Sequence, residues 1–455
     1  MIRVLLLTIL ILGPSAGAQI LPRTPLPGLP GGLPGNLPAG GGLPAVAGDA
    51  VGELTNETGE LETARQLQIR LLLHRHRDVI ETDPSGDPVV RGELLAFSPT
   101  DAALARALGA GFSIVRVLSL DTLAIRIVVL DAPHGTATHR ALRLLRRLDP
   151  TGEYDFNNIY TQSGRSSVAA RGGASALPRG TVGADAPTPP HPARQAETAR
   201  AKSVGLIDGG VGTTQPVFGG ATIHRYGCGG AVIPSPHGTE VASLLVGRSA
   251  QFGGAAAGAT LYAADVYCGQ PTGGAVDAIA AALAWLAGQG VPVINVSLVG
   301  PPNALLQQVV ARLVSRGVLL VAAVGNDGPA APPLYPAAYP GVIGVTAVDA
   351  RRHVIFEAEH GPQVMFAAPG ADIPAATVPT GFEEVRGTSF AAPLVAGLLA
   401  EKLYGTDGSD PAAGRAAIDA LAHAAIHLGS PGRNDVFGYG LVGAGLPSPR
   451  PRSTH

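Results

Sequence analysis

The sequence predicts an α/β protein, a three-layer parallel sheet with helices on both faces, preceded by a small α+β unit. Two observations predict the large layer structure. Apolar runs at 204–207, 260–266, 293–297, 319–324 and 342–348 have the length and composition of strands buried on both sides. Longer helix-forming stretches at 239–246, 275–289 and 305–316 alternate with them, which is the pattern of a parallel sheet covered on two faces. A third observation predicts the smaller unit: ahead of these runs, from 89 to 160, the order is strand, helix, strand, strand, helix, strand.

Composition bounds the remaining possibilities. The chain has 455 residues, 46% of them hydrophobic and 15% charged, which is ample for several cores. A net charge of −2 gives no basis for a nucleic-acid partner or for an anionic membrane surface. Much of the excess in the 62 glycines and 40 prolines falls in linkers rather than in the ordered parts.

Residues 1–18 read as a secretory signal: Arg3 opens them, an apolar run fills 4–12, and Ala16-Gly17-Ala18 offer small residues for cleavage. The run is too short for a good spanning helix, and Gly13-Pro14 argue against an uncleaved anchor. No other stretch is long and apolar enough to cross a bilayer, so a secreted or periplasmic protein without a membrane span in its mature form is expected. Residues 19–48 repeat Leu-Pro and Gly, a spacer that cannot bury a core. Residues 49–88 read as a helical segment, with Leu61, Ile69, Leu72 and Leu73 among many charges.

The α+β unit, 89–160, carries expected strands at 90–97, 112–117, 122–130 and 153–156, with helices at 101–108 and 138–148. That order is ferredoxin-like. Residues 161–198, rich in Gly, Ala, Pro and Arg, read as a linker, 199–446 as the main domain, and 447–455 as a disordered tail. The two cysteines, Cys228 and Cys268, are compatible with one bridge or with two buried thiols. Neither lies in a CxxC spacing or beside a histidine, which argues against a zinc site.

Chemistry concentrates in three stretches. Gly387-Thr388-Ser389-Phe390-Ala391-Ala392-Pro393 joins a glycine turn to a hydroxyl and a small apolar run, so Ser389 is expected at a helix N-terminus, where backbone N–H groups favour developing negative charge. Pro393 fits there only if the helix has just begun. The run 204–208 is a short strand ending in Asp208, and Pro236-His237-Gly238 opens an apolar helix with a histidine. Singly, these residues read as an N-cap serine, a turn acid beside Gly209-Gly210 and a capping or core histidine. Together they present the acid, the imidazole and the alcohol of a nucleophilic triad, in one of its known chain orders.

On "IDGGV", "HGTEVASLLVG" and "GTSFAAPLVAG", in that sequence, the chain resembles the subtilisin-like serine peptidases. The resemblance implies a serine endopeptidase with Asp208, His237 and Ser389 as its catalytic groups. In 321–328, VAAVGNDG, Asn326 matches the asparagine whose side-chain amide faces the oxyanion in that family. Ser297-Leu298-Val299-Gly300 resembles the family's substrate-pairing strand, with Val299 where glycine is common, which suggests small or medium residues at the cleaved position. Pro301-Pro302 limit how far that pairing edge extends. Tyr335-Pro336-Ala337, Ala368-Pro369-Gly370 and Gly438-Tyr439-Gly440 are further landmarks.

The α+β unit is similar to the inhibitory pro-domains that precede many such enzymes, which implies a chaperone and inhibitor whose end lies in the substrate cleft. An independent small domain is the alternative. Partners are then a protein or peptide substrate and the chain's own pro-domain. No cofactor is expected; relatives often bind calcium, and no ligand loop for it stands out. Two rivals are a catalytically silent peptide-binding protein on the same scaffold and an α/β-hydrolase esterase. The esterase needs a G-x-S-x-G elbow, which Ser389 lacks.

Overall fold

In the computed structural model the described residues are 67, 69–162, 165–166 (as a strand, without side chains), 202–250, 252–406, 410–444 and 446. The expected signal, the Leu-Pro spacer, most of the 161–198 linker and the tail lie outside them.

The described chain starts in a helix that ends at residue 75, short of the 49–88 span expected to be helical. Ile80–Thr82 (β1) instead pairs antiparallel with the start of Pro88–Phe97 (β2). The reason is local. Asp83 Oδ1 accepts the N–H groups of Ser85 and Asp87 at 2.8 and 3.0 Å, and Gly86 supplies a left-handed turn residue. Ile80 is fully buried by the hairpin so formed.

Asp101–Gly109 (α1) follows, capped by the Thr100 side chain, which accepts from the Ala103 N–H at 3.1 Å. Ser113–Leu120 (β3), Ile125–Asp131 (β4), Thr138–Leu148 (α2) and Glu153–Asn158 (β5) complete the unit. β2 lies between β4 and β5, with β3 outside β4, and all pairings are antiparallel. Strand periodicity then sends Leu94 and Ala96 to one face and Leu95 and Phe97 to the other. The first pair packs with Leu104, Ala107, Leu142 and Leu145 of the unit's own helices. The second pair packs with residues of the main domain. Two short strands follow, Thr161–Gln162 (β6) and Arg165–Ser166 (β7).

The main domain has a seven-stranded, all-parallel sheet in the order β15-β14-β13-β11-β8-β10-β9. Its strands are Ser203–Asp208 (β8), Ile223–Tyr226 (β9), Thr260–Asp265 (β10), Val293–Val296 (β11), Leu319–Ala323 (β13), Ile343–Val348 (β14) and Val364–Pro369 (β15). Helices Pro236–Val246 (α3) and Thr388–Leu403 (α6) share a core with Val204, Leu206, Val321 and Val345 on one face. Val276–Gly288 (α4) and Ala304–Ser315 (α5) share the other with Ile207, Ile294, Val296 and Ala322. Pro411–Ala424 (α7) packs outside α6.

That second core continues into Leu95, Phe97, Ile127 and Val129, so α4 and α5 are covered by the front unit's sheet. Cys228 and Cys268 are joined in a disulfide that ties the loop after β9 to the loop after β10.

The first residues of the expected linker are not loose chain. β6 pairs antiparallel with Leu298–Val299 (β12), and β7 joins the hairpin Ile373–Ala376 (β16) and Phe382–Arg386 (β17). Pairing with exposed edges of the main domain orders them where composition alone suggests a flexible tether.

Candidate active site

Chain order around β8 sets the position of the site. The chain continues from β8 to β10 on one side and returns to β11 on the other, and in open parallel sheets the crevice at such a reversal, beyond the carboxyl ends of the strands, is where groups can converge. Asp208 is the last residue of β8 and is fully buried. His237 is the second residue of α3, whose start is set by Pro236 and by the Ser235 hydroxyl accepting the Gly238 N–H at 3.0 Å. His237 Nδ1 lies 2.9 Å from each Asp208 carboxylate oxygen. Asp208 Oδ1 also accepts the Gly209 N–H at 2.6 Å and the Gln162 side-chain amide at 3.1 Å.

Ser389 is the second residue of α6, after Gly387 at φ 140°, and is fully buried. The next residue, Phe390, packs its ring against the His237 ring, centroids 5.2 Å apart, so the serine's helix start and the histidine occupy one place. Pro393 is not in the first turn, as its presence had suggested; it is the sixth helical residue. Its missing N–H would have gone to the Ser389 carbonyl. The Ser297 hydroxyl donates to that carbonyl instead, at 3.0 Å, and itself accepts from the Asn295 amide at 2.8 Å. Ser389 Oγ lies 3.4 Å from the Ser297 carbonyl.

Asn326 follows Gly325, whose φ is 121°. Its Oδ1 accepts the Thr388 N–H at 3.0 Å, which orients the amide so that its nitrogen is the donor end, beside the residue preceding Ser389. Leu298 and Val299 pair with Gln162 and Thr161 respectively, while Gly300 exchanges both backbone hydrogen bonds with Tyr335 at 3.0 Å. Thus Asp208, His237, Ser389 and Asn326 gather at one sheet edge, and 297–300 run beside them.

Electrostatics around the pair are set by burial. Glu240, on the same helix as His237 and fully buried, has its carboxyl pushed up by burial, opposed by the Thr377 hydroxyl donating to it at 2.9 Å. Asp265 is likewise raised by burial, opposed by the Cys268 and Tyr267 N–H groups. Among the described residues one cluster of three potential metal donors occurs, Cys228, Asp265 and Cys268, and two of these are the bridged sulfurs.

Sequence reading missed Gln162 and Tyr160 from the front unit, Tyr267 and Gly274 from the loop after β10, and Asn295 and Glu240. Gln162 and Tyr160 carry no motif; only the expectation that the unit ends in a cleft points toward them. Asn295 and Glu240 were legible as polar residues inside otherwise apolar runs.

Comparison with known proteins agrees with this geometry. Residues 201–440 match the Subtilase family. Subtilisin BL of Lederbergia lenta is 35% identical over 212 residues, 46% of this chain and 76% of that protein. The minor extracellular protease Epr of Bacillus subtilis (strain 168) is 31% identical over 210 residues, 45% of this chain and 32% of that one. Fervidolysin from Fervidobacterium pennivorans, described as a keratinolytic enzyme related to subtilisin, superposes with a TM-score of 0.62 over 82% of this chain at 20% identity, a likeness of fold. The chain spans 63% of that structure. On the extent of the match and the identity to subtilisin BL, the chain belongs to the subtilase family and is a serine endopeptidase of the subtilisin-like fold.

Proposed function

We propose that the protein is made as a secreted precursor which hydrolyses peptide bonds through Asp208, His237 and Ser389, and that residues 89–160 are its inhibitory pro-domain. The observation that carries this is the path of the chain. β6 runs along Leu298–Val299 and β7 along Val385–Arg386, the strand that leads into the start of α6. Extended chain paired to strand edges beside a nucleophile takes a substrate's path. We place the bond that Ser389 cuts in its own chain between these two strands, at 163–164, serine and glycine in the sequence.

In the mechanism, Ser389 Oγ attacks the substrate carbonyl carbon while His237 Nε2 takes the hydroxyl proton. Asp208, held on Nδ1, keeps the proton-accepting tautomer and stabilises the imidazolium. The amide of Asn326 and the Ser389 backbone N–H, at the positive end of α6, receive the oxyanion. His237 then returns its proton to the departing amine, leaving an acyl-enzyme that water hydrolyses by the same steps. Side chains supply all of this chemistry, so the reading needs no cofactor. The signal-like residues 1–18 support export, as does the extracellular assignment in the name of the relative Epr.

Mass analysis of the full chain produced in a host with few proteases tests the reading. A new N-terminus at residue 164, absent in Ser389→Ala, together with labelling of the parent and not the variant by a fluorophosphonate, is expected. Identical trimming in Ser389→Ala, or a parent that does not label, overturns it in favour of a silent peptide-binding scaffold.

A further inference from the structure

We propose that Glu240 is a positioning residue that acts through His237: a second carboxylate, one helical turn beyond the imidazole, whose countercharge appears only while His237 holds the serine proton. The proposal rests on the triad reading set out above and goes beyond it, since that triad uses Asp208 alone as its acid.

Glu240 stands three residues after His237 on α3, a spacing that puts two side chains on one helix face. It is fully buried. Its Oε1 accepts the Thr377 hydroxyl at 2.9 Å, and its Oε2 has no partner among the described residues. The same turn of α3 is tied to the end of β16: the Ser243 hydroxyl donates to the Glu240 carbonyl at 2.7 Å and accepts the Ala376 N–H at 3.0 Å. The carboxyl is therefore fixed between the helix that opens with the histidine and the hairpin that runs on into Ser389.

A buried carboxyl with one oxygen unpaired costs stability, so its presence calls for a charge that repays it. Burial pushes Glu240 above its ordinary value; the Thr377 hydroxyl and His237 oppose that, while Glu383 and Asp208 add to it. Of these groups Thr377 is neutral, and Glu383 of β17 and Asp208 of β8 carry the sign of Glu240 itself. Only the imidazole can become a cation, and in the proposed reaction it does so as Ser389 attacks. Asp208 fixes the tautomer by contact with Nδ1 at 2.9 Å, whereas Glu240, whose side chain bonds only to Thr377, contributes its charge alone. A countercharge met in the transition state and missing from the resting enzyme speeds the chemical step without tightening substrate binding.

The test follows the rate at which a fluorophosphonate labels Ser389 across pH, in the self-processed enzyme and in Glu240→Gln; this reaction uses the same base and requires no preferred peptide. Gln keeps the volume and the oxygen that accepts from Thr377, and removes the charge. Expected are an acid limb displaced to lower pH, because the imidazolium loses a countercharge, and a plateau rate about three- to thirtyfold lower. In a Ser389→Ala background the same change should not lower the denaturation midpoint at neutral pH, because a carboxyl raised by burial subtracts stability as pH climbs above its unfolded value. Ser243→Ala breaks the tie to Ala376 and leaves the charge, so it should lose stability and keep the parent's limb. Thr377→Val removes the hydroxyl that favours the ionised carboxyl and should move the limb in the same direction as Glu240→Gln. A folded Glu240→Gln enzyme with the parent's limb and plateau overturns the role, and where that variant does not fold, an unmoved limb in Thr377→Val does so. A parent that takes no label overturns the triad reading instead.

Discussion

Pro393 and Ser297 account for one another. A proline six residues into a helix withholds a hydrogen bond from the carbonyl four residues back, and here that carbonyl belongs to Ser389. The Ser297 hydroxyl fills the gap and is itself held by Asn295, so a residue of the segment proposed to pair with substrate also positions the helix turn that carries the proposed nucleophile. Ser297→Ala strands a buried carbonyl and should cost about 1–3 kcal/mol of stability. Because the stranded group is the backbone of Ser389, kcat should fall while KM for short peptides stays near the parent's. Denaturant unfolding in a Ser389→Ala background checks the first and steady-state kinetics the second; an unchanged kcat would reduce Ser297 to a packing role. The signal for this was present in the sequence as an out-of-place proline, and it was read as a statement about where the helix starts. The serine's partner lies 92 residues away in sequence, and no local pattern reports such a contact.

At the scale of elements, what was legible follows from how each element is buried. Central strands are covered on both faces, and β13 reads as an unbroken apolar run while β11 and β14 depart from one only at the polar residues Asn295 and Thr346. The edge strand β9 has the sequence IHRY, with His224 and Arg225 exposed, and lacks that signature, whereas β15 is apolar up to its closing proline. The hairpin of β16 and β17 was equally silent. α7 was readable after all: Asp410 caps it by accepting the Ala412 N–H at 2.9 Å, and Pro411 opens it. Every residue of the helix α6 from Thr388 to Gly397 is buried. Such a helix makes a quantitative prediction at Gly397. Replacing it with alanine gains about 1 kcal/mol of helix propensity. The added Cβ, however, would stand 2.5 Å from the Ala255 Cβ and 2.9 Å from backbone atoms of Ala255 and Ala256, which cannot swing aside. Overpacking costs about 1–3 kcal/mol, so Gly397→Ala should be less stable than the parent. A higher denaturation midpoint would mean that this contact relaxes.

The molecule as a whole is a catalytic sheet and helices with a second domain laid over α4 and α5, and three kinds of contact hold that cover down. Leu95, Phe97, Ile127 and Val129 contribute apolar area. Asp155 accepts the Ala304 N–H at 2.8 Å, at the positive end of α5, where a carboxylate is favoured. Arg116 of β3 joins Glu93 of its own sheet to Asp277 of α4, with oxygen contacts of 2.6 Å to each, and the Asn157 amide bridges the same two carboxylates at 2.8 and 3.0 Å. Removing the cation leaves two carboxylates facing one another across the interface. Were the cluster sealed, such a loss would cost about 3–5 kcal/mol. The Arg116 side chain is 36% exposed, so solvent screens part of it, and about 1–2 kcal/mol is the reasonable expectation. Arg116→Met keeps the apolar stem and deletes the charge. If the chain is cut at 163–164 as proposed, the front unit is held by these contacts together with Tyr160 and the pairing of β6 with β12, and loss of the Arg116 share should shorten the lag between cleavage, followed by mass, and the rise of peptidase activity about 5–30-fold in the variant. Raising salt should shorten the parent's lag and affect the variant's little. A variant with the parent's lag would assign the hold to the remaining contacts and leave the Arg116 cluster with a role in orienting the unit on the sheet.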